Sequence, residues 1–420
     1  MNLELVDVVL FSTYFFLLFM SIFWLLVLFS SEEKGQQKKK LTEFPVVSVL
    51  IPAYNEEESI IETISSVCHL DYPAEKLEVI VINDGSADRT KEKVEQFIHI
   101  HPQHKIILLN QENTGKGKAM NQGLEKTSGE FFASLDADSF VSPNALQEML
   151  PYFEDIQVAA VCPLLKVRKP SSIIQKVQWY EYVINMFYRW LNAKVNCIHV
   201  TPGPFSVYRT AVIKELGGYD EKNITEDLEI AIRLQKYHYK ILHTYDATVE
   251  TLSPQTWKAL FRQRVRWYKG SIDNALRYKK LLFNREYGDF GYMRMPTILL
   301  SGVLIIILSG TLFQQLLKGL YHGYFVLQSI NFDILTMARD ISLHPNLLAL
   351  PLGKFFIAFT LFAISFFIMI YSYRIIKEKI TNHGRTLASL LTYFFLYGLF
   401  ITAVWMYIAF LFATKKENKW

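Results

Sequence analysis

Phe131-Phe132-Ala133-Ser134-Leu135-Asp136-Ala137-Asp138 is the stretch whose reading decides the fold of this chain. Its apolar, aromatic start reads as a buried strand, and it runs into two carboxylates separated by one residue. On an extended chain that spacing points both carboxylates to one face, where two like charges are costly unless a cation is bound. Oxygen ligands of this kind suit hard divalent ions that keep waters and take substrate phosphates, such as Mg²⁺ or Mn²⁺. An isolated pair of this form is most often structural. At the end of an apolar strand in an alternating α/β pattern it points to a metal-nucleotide site.

Upstream, Val46–Ile51, Leu77–Ile82 and Lys105–Leu109 repeat the short β-branched run, with an amphipathic helical stretch at Ile60–Val67. That alternation predicts parallel strands joined by helical crossovers, with ligand-binding loops at the strands' carboxyl ends. Pro52-Ala53-Tyr54-Asn55-Glu56-Glu57 follows the first strand; proline stops it and Asn55 can cap the next helix. Asn83-Asp84-Gly85-Ser86 follows the second and is a turn by composition, in which Asp84 could also accept hydrogen bonds from a base or ribose. Gly115-Lys116-Gly117-Lys118 lacks the spacing of a Walker loop and of a dinucleotide fingerprint. It reads as a doubly cationic approach to a helix N-terminus, able to contact phosphate weakly, with Lys116 itself in a solvated loop.

Beyond residue 150 the pattern is less regular. Val177–Trp190 is a helix rich in Trp and Tyr, suited to core or membrane-interface packing. Thr201-Pro202-Gly203-Pro204-Phe205-Ser206 is a turn-rich approach to a strand through Tyr208, and Thr225-Glu226-Asp227 opens a helix running to about Lys236, with Thr225 or Asp227 able to cap it. Gln263-Arg264-Val265-Arg266-Trp267 then gathers an amide, two guanidiniums and an aromatic plane. Acids able to hold a metal and a base, followed by cations able to hold a leaving group, point to group transfer from a phosphorylated donor.

The chain has 420 residues, enough for one large or two medium domains at ~100 to 200 residues each. Its 51% hydrophobic and 15% aromatic content is concentrated at the two ends. Val8–Phe29 carries no charge and reaches the ~20 residues of a membrane helix. The acidic start, Glu4 and Asp7, and the lack of a cleavage site make it an uncleaved anchor rather than a signal peptide. Thr297–Leu316, Phe355–Tyr373 and Leu387–Phe412 are further spans. Lys34, Lys38, Lys39 and Lys40, and Arg374, Lys377, Lys379 and Arg385, place their stretches and the middle of the chain in the cytoplasm. Lys415, Lys416 and Lys419 run against that orientation, which a short or re-entrant span near Gly323–Leu335 would accommodate, giving four spans or five. The expected organisation is an N-terminal transmembrane helix (1–30), a basic linker (31–45), a cytosolic α/β domain (46–290) and a C-terminal transmembrane region of about three helices (291–420).

The net charge of +4 is small and scattered, which argues against nucleic acid. The 3 cysteines, Cys68, Cys162 and Cys197, form no CxxC pair, so neither a disulfide framework nor a zinc site is supported. Spans with almost no ionisable residues argue against a transporter.

Taken as an ordered set, Pro52–Glu56, Asn83–Ser86, Lys118-Ala119-Met120-Asn121, Asp136–Asp138, Gly203-Pro204-Phe205, Thr225–Asp227 and Gln263–Trp267 resemble the inverting family 2 glycosyltransferases. The likeness is to the membrane-embedded polysaccharide synthases that include cellulose, chitin and hyaluronan synthases. Size and span arrangement look most like bacterial poly-β-1,6-N-acetylglucosamine synthases. The resemblance implies a GT-A type nucleotide-sugar-binding domain, cytosolic and inserted between transmembrane α-helices of the plasma membrane. It implies a UDP-sugar donor, a growing polysaccharide as acceptor and a divalent cation. Four or five spans is a small number to enclose a polymer channel, so a homodimer or a small membrane partner is expected.

By position, the resemblance implies that Tyr54, Glu56 and Asp84 hold the uridine and that Lys118 approaches the donor phosphates. Asp136 and Asp138 would hold donor and metal, and Asp227 would be the general base. Glu226 and Gly203-Pro204-Phe205 would lie on the acceptor side, Gln263, Arg264 and Arg266 would hold the departing diphosphate, and Trp267 would face the acceptor sugar. A single displacement would convert an α-linked donor into a β-linked product. A single-transfer glycolipid synthase and a non-catalytic nucleotide-sugar-binding membrane protein are the alternatives.

Overall fold

The computed structural model describes residues 5–30, 41, 43–333, 352–383 and 386–415. Lys34, Lys38, Lys39, Lys40, Leu335, Arg385, Lys416 and Lys419, used above to orient the chain, lie outside them.

One eight-stranded sheet organises the middle of the chain, in the order β3-β2-β1-β4-β7-β6-β8-β5. The strands are β1 (Val47–Ala53), β2 (Leu77–Asp84), β3 (Lys105–Gln111), β4 (Phe131–Ser134), β5 (Ser139–Val141), β6 (Val158–Val167), β7 (Ser206–Arg209) and β8 (Lys240–Thr251). The first four are mutually parallel, as their spacing predicts. The second half departs from that expectation: β7 runs antiparallel to β4 and β6, and β5 antiparallel to β8, so the sheet is mixed.

Two of its strands escape a reading from pattern. β6 carries Pro163, a residue that argues against a central strand, and the structure accommodates it at a register irregularity between Cys162 and Leu164. β8 mixes Lys, His, Asp and Glu into an alternating half-buried strand, so its apolar signal is diluted.

The helices are α1 (Leu5–Phe29), α2 (Ile60–Cys68), α3 (Thr90–Ile100), α4 (Lys116–Lys126), α5 (Ala145–Met149), α6 (Ile173–Lys194), α7 (Thr210–Glu215), α8 (Glu226–Lys236), α9 (Trp257–Arg277), α10 (Met295–Ser329), α11 (Leu352–Ile375), α12 (Thr386–Leu391) and α13 (Gly398–Thr414). A π-helical turn, Thr392–Tyr397, joins the last two. Strand alternation divides the core. Val47, Val49 and Ile51 of β1 pack on one face with α2 and α6, whereas Leu50 packs on the other with α4, α7 and α8. Helices on both faces explain why β1 and β2 are apolar almost throughout.

The aromatic helix α6 starts at a capping box, in which Gln175 N donates to Ser172 Oγ at 3.2 Å and Ser172 N to Gln175 Oε1 at 3.2 Å. Its rings fill the space between sheet and apolar helices. Tyr188 lies edge-on to Trp24 of α1 at 6.0 Å, and Phe187 meets Tyr371 of α11 at 6.0 Å.

Three described helices are long and apolar enough to cross a membrane: Val8–Phe29, Phe290–Ser329 and Leu387–Thr414. The third expected span, Phe355–Tyr373, falls within α11, whose apolar stretch Phe359–Ile375 is shorter. Gly323 lies inside α10, so the re-entrant segment considered there is no separate element as far as Ser329. Val265 of α9 packs against Val404, Trp405, Ile408 and Leu411 of α13, which docks the α/β domain directly on an apolar C-terminal helix.

Candidate active site

Several of the acids and cations singled out by sequence meet where the loop after β4 faces the first turns of α4 and α8. Lys116, at the first turn of α4, puts Nζ 2.7 Å from Asp136 Oδ1 and 3.0 Å from Glu226 Oε1. This corrects the reading of Lys116 as a solvated loop residue. Lys118, expected at the donor phosphates, makes no side-chain ion pair or hydrogen bond among the described residues. The choice between the two lysines is made by the loop before them. Asp84 accepts from Gln111 Nε2 at 2.6 Å and Thr114 N at 2.9 Å through Oδ1, and from Gly115 N at 2.9 Å through Oδ2. Asp84 is buried and occupied in this way. In this arrangement it braces the loop that delivers Lys116.

Gly203 sits against this ion pair. A Cβ there would lie 2.7 Å from both Asp136 carboxylate oxygens and 2.8 Å from Lys116 Nζ, so a larger residue would have to displace this ion pair. Ser134 Oγ holds Gly203 O at 2.9 Å, and Thr201 Oγ1 donates to Asp227 O at 2.9 Å, which fixes the 201–206 segment between β4 and α8. Two expected acceptor residues are buried. Phe205 is fully buried in the core with φ +56°, and Glu226 is buried with its carboxylate turned to Lys116.

Asp227 stands in the first turn of α8, where the helix N-terminus favours negative charge. Its Oδ1 accepts from Leu228 N at 2.9 Å, and Oδ2 has no hydrogen-bond partner among the described residues. Burial and the neighbouring Glu226 raise its carboxyl above the ordinary range, against the opposing pull of Lys116 and Arg266. Burial works against the Lys116 charge, but Asp136, Glu226 and Asp227 outweigh it and hold the ammonium charged.

Asp136 and Asp138 are both partly exposed while Leu135 and Ala137 are buried, the alternation expected of an extended pair. Burial, Asp136 and Glu56 together push the Asp138 carboxyl up, and burial and Asp136 do the same to Glu56. Among the described residues no three acidic, His or Cys side chains gather into a ready-made metal cage. The donor set nevertheless fits a hard divalent ion: two carboxylates with like-charge strain that such an ion relieves, leaving positions for phosphate and water. Tyr54 is exposed at the end of β1.

α9 supplies the last wall. Asn274 Nδ2 donates to Thr225 Oγ1 at 3.1 Å and Gly270 O at 3.0 Å, and Asn223 Nδ2 to Asn274 Oδ1 at 2.7 Å. A Cβ on Gly270 would meet Thr225 Oγ1 at 2.4 Å, so glycine lets the helix start carrying Asp227 lie directly on α9. Arg266 is exposed and without an ion pair or hydrogen bond among the described residues, and its charge reaches Asp227. Arg264 is the main correction on this helix. It is 0% exposed, ion-paired with Glu181 of α6, and donates from Nε to Tyr397 Oη at 3.3 Å, while Tyr397 Oη donates to Glu181 Oε2 at 2.7 Å. Enclosed and paired in this way, it faces the helix contact rather than the cleft of Lys116 and Asp227. Gln263 Oε1 accepts from Arg264, and the Arg264 guanidinium covers the Trp267 ring at 4.3 Å, while both residues remain partly exposed. Glu181 and Tyr397 were not anticipated. The signal for the first was a lone carboxylate in an otherwise aromatic helix.

Residues 48–217 match the family described as Glycosyl transferase family 2. YdaM, a probable glycosyltransferase of Bacillus subtilis, is 31% identical over 280 residues, covering 61% of this chain and 64% of that protein. A poly-β-1,6-N-acetyl-D-glucosamine synthase of Staphylococcus epidermidis is 31% identical over 333 residues, covering 77% of this chain and 75% of its relative. Among solved structures, a mannosyltransferase from Pyrobaculum calidifontis, in complex with GDP-Man and Mn²⁺, shares the fold with a TM-score of 0.57 at 19% identity, over 79% of this chain and 93% of that one. By its matched domain, by the extent of its likeness to the staphylococcal synthase and by its GT-A type architecture, the chain belongs to glycosyl transferase family 2.

Proposed function

We propose that this protein transfers a sugar, N-acetylglucosamine in the first instance, from a UDP-sugar to the hydroxyl end of a growing β-linked polysaccharide, with inversion. The observation that carries this reading is Asp227. It is a carboxylate with one oxygen held by Leu228 N and the other open, raised by burial, and set beside Lys116 and Arg266. A carboxylate in hydrogen-bond reach of the acceptor hydroxyl contributes about 10² to 10⁴-fold by taking its proton as the oxygen attacks the anomeric carbon. Arg266 and Lys116 lie where negative charge develops on the leaving diphosphate, and fixed cations in a partly dry cleft oppose it most effectively. Asp136 and Asp138 would hold a divalent cation, whose charge, when bound, adds to that opposition. Tyr54 and Glu56 border the nucleoside side of the cleft. The name of the staphylococcal relative supports N-acetylglucosamine, and the apolar helices against α9 support delivery of the product at a membrane.

A second reading, transfer of one sugar to a lipid, is favoured by the cluster of Arg189, Arg294 and His199 at the start of the long apolar helix. Membranes containing the full chain, supplied with separately labelled UDP-sugars, distinguish the two: a labelled polymer sensitive to linkage-specific digestion supports the first, and one glycosylated lipid the second. Asp227→Asn is expected to lower turnover by at least ~10²-fold. Turnover retained in that variant would remove Asp227 as the base, and turnover absent from the intact protein with every donor would favour non-catalytic binding of a nucleotide sugar.

A further inference from the structure

A second cluster of polar groups adjoins Asp227 and plays no part in the steps above. Arg189 and Trp190 come from the end of α6, His199 from the segment after it, His243 and Tyr245 from β8, and Arg294 from the turn that opens α10. The 195–201 segment is fixed against α8, because Gln235 Nε2 donates to Ile198 O at 3.1 Å and Thr201 Oγ1 to Asp227 O at 2.9 Å. Arg294 lies 2.7 Å from His199 Nε2, so that nitrogen accepts and the imidazole is neutral. Met295 and Ile298, just beyond, pack on Leu228 and Ile232 of α8. Tyr245 stands 5.1 Å from the His243 ring and 6.1 Å from Trp190.

The cluster has an excess of donors. Among the described residues neither arginine has a carboxylate at ion-pair distance: Arg189 meets Met186 Sδ at 3.6 Å, and Arg294 meets His199. Burial holds the Arg189 guanidinium below its usual value, and Asp227 is among the few charges that oppose this. His243 is 8% exposed, yet neither of its ring nitrogens has a partner among the described residues, nor do Tyr245 Oη and Arg294 Nε. Buried polar atoms are normally satisfied, so a group of orphans beside unpaired guanidiniums marks a place for a ligand. The fork geometry of guanidinium suits phosphate, and the rings of Trp190 and Tyr245 suit an attached sugar. Arg294 is also where the chain enters the long apolar helix, so a ligand here meets the boundary of the apolar region.

We propose that Arg189, Arg294 and His199 form an anion site on the acceptor side of Asp227, which takes the phosphate group of a lipid-linked acceptor. This rests on the reading of Asp227 as the base that faces the acceptor. The test uses full-length Asp227→Asn protein in phosphatidylcholine vesicles. Binding of N-acetylglucosamine on a prenyl diphosphate is compared with binding of the same sugar on a neutral alkyl chain. The diphosphate lipid is expected to bind roughly tenfold or more tightly, as charge-assisted hydrogen bonds from two guanidiniums allow. Arg189→Gln with Arg294→Gln should remove that preference while UDP-sugar binding persists, which reports that the protein is folded. The corresponding Lys variants should keep part of it. Equal binding of the two lipids, or a preference that survives both Gln changes, overturns the proposal. Inorganic pyrophosphate that displaces the UDP-sugar but not the lipid overturns it too, by assigning the cations to the leaving group. Transfer is scored separately in the unmodified protein, so failure of the catalytic reading appears as no turnover and leaves the binding comparison intact.

Discussion

The two faces of α9 carry the same side chain to opposite ends. Arg264 and Arg266 are two residues apart, which at ~100° per residue places them on opposite sides of a helix. Arg264 turns into the contact with α6 and the C-terminal helices, where Glu181 and Tyr397 occupy it. Arg266 turns outward beside Asp227, with no ion pair or hydrogen bond among the described residues. A guanidinium enclosed with a carboxylate becomes an anchor, because its separation would leave two buried charges. The same group left at the edge of a cleft remains available to a diphosphate.

The largest effect should come from breaking the anchor. Arg264→Ala leaves the Glu181 carboxylate without its ion-pair partner, a loss of about 3 to 5 kcal/mol for a buried pair, seen as a lower melting temperature of the detergent-solubilised protein. Joint replacement by Arg264→Met and Glu181→Leu should recover much of it. Unchanged melting in the single variant would remove the anchor. Next, Arg266→Ala should lower transfer by ~10² to 10³-fold, the range seen when one group opposing transition-state charge is lost. Its melting should stay at the parental temperature, and near-normal transfer would separate Arg266 from the diphosphate.

Lys116→Gln sharpens the comparison through pH. As the proposed base Asp227 acts deprotonated, and burial with Glu226 raises its carboxyl, so the acid limb of kcat/KM should lie above the ordinary carboxylate range. Lys116 opposes that rise. Its removal should therefore move the limb to still higher pH at a fixed divalent-ion concentration, and a limb that stays in place would exclude the coupling. The smallest effect belongs to Lys118→Ala. This side chain is partly exposed and unpaired among the described residues, so transfer should fall by about fivefold at most, the reach of a surface charge worth up to ~1 kcal/mol. A larger loss would restore it to the donor site.

Much of this was open to reading from local pattern. β1 to β4, the alternating Asp136 and Asp138, and the start of α8 at Glu226 follow from period, turn residues and caps, all of which act within a few residues. β6 and β8 did not, because Pro163 and the charges of β8 blur the apolar signal that a strand needs. Lys116 and Lys118 could not be ranked either, since both sit on the same first turn and only the Asp84 brace on the preceding loop decides which reaches Asp136.

By itself the sequence determined the membership in a glycosyltransferase family, the parallel half of the sheet, the apolar helices at the two ends, and the order in which acids precede cations. These rest on short-range periodicity and on motif spacing, which survive without coordinates. Only the tertiary structure decided partnership. It joined Arg264 to Glu181, 83 residues away, and to Tyr397, 133 residues away, and it pressed Gly203 onto Asp136 and Gly270 onto Thr225. The physical reason is desolvation: whether a charge anchors or binds depends on what encloses it, and that enclosure is built from residues far apart in the chain.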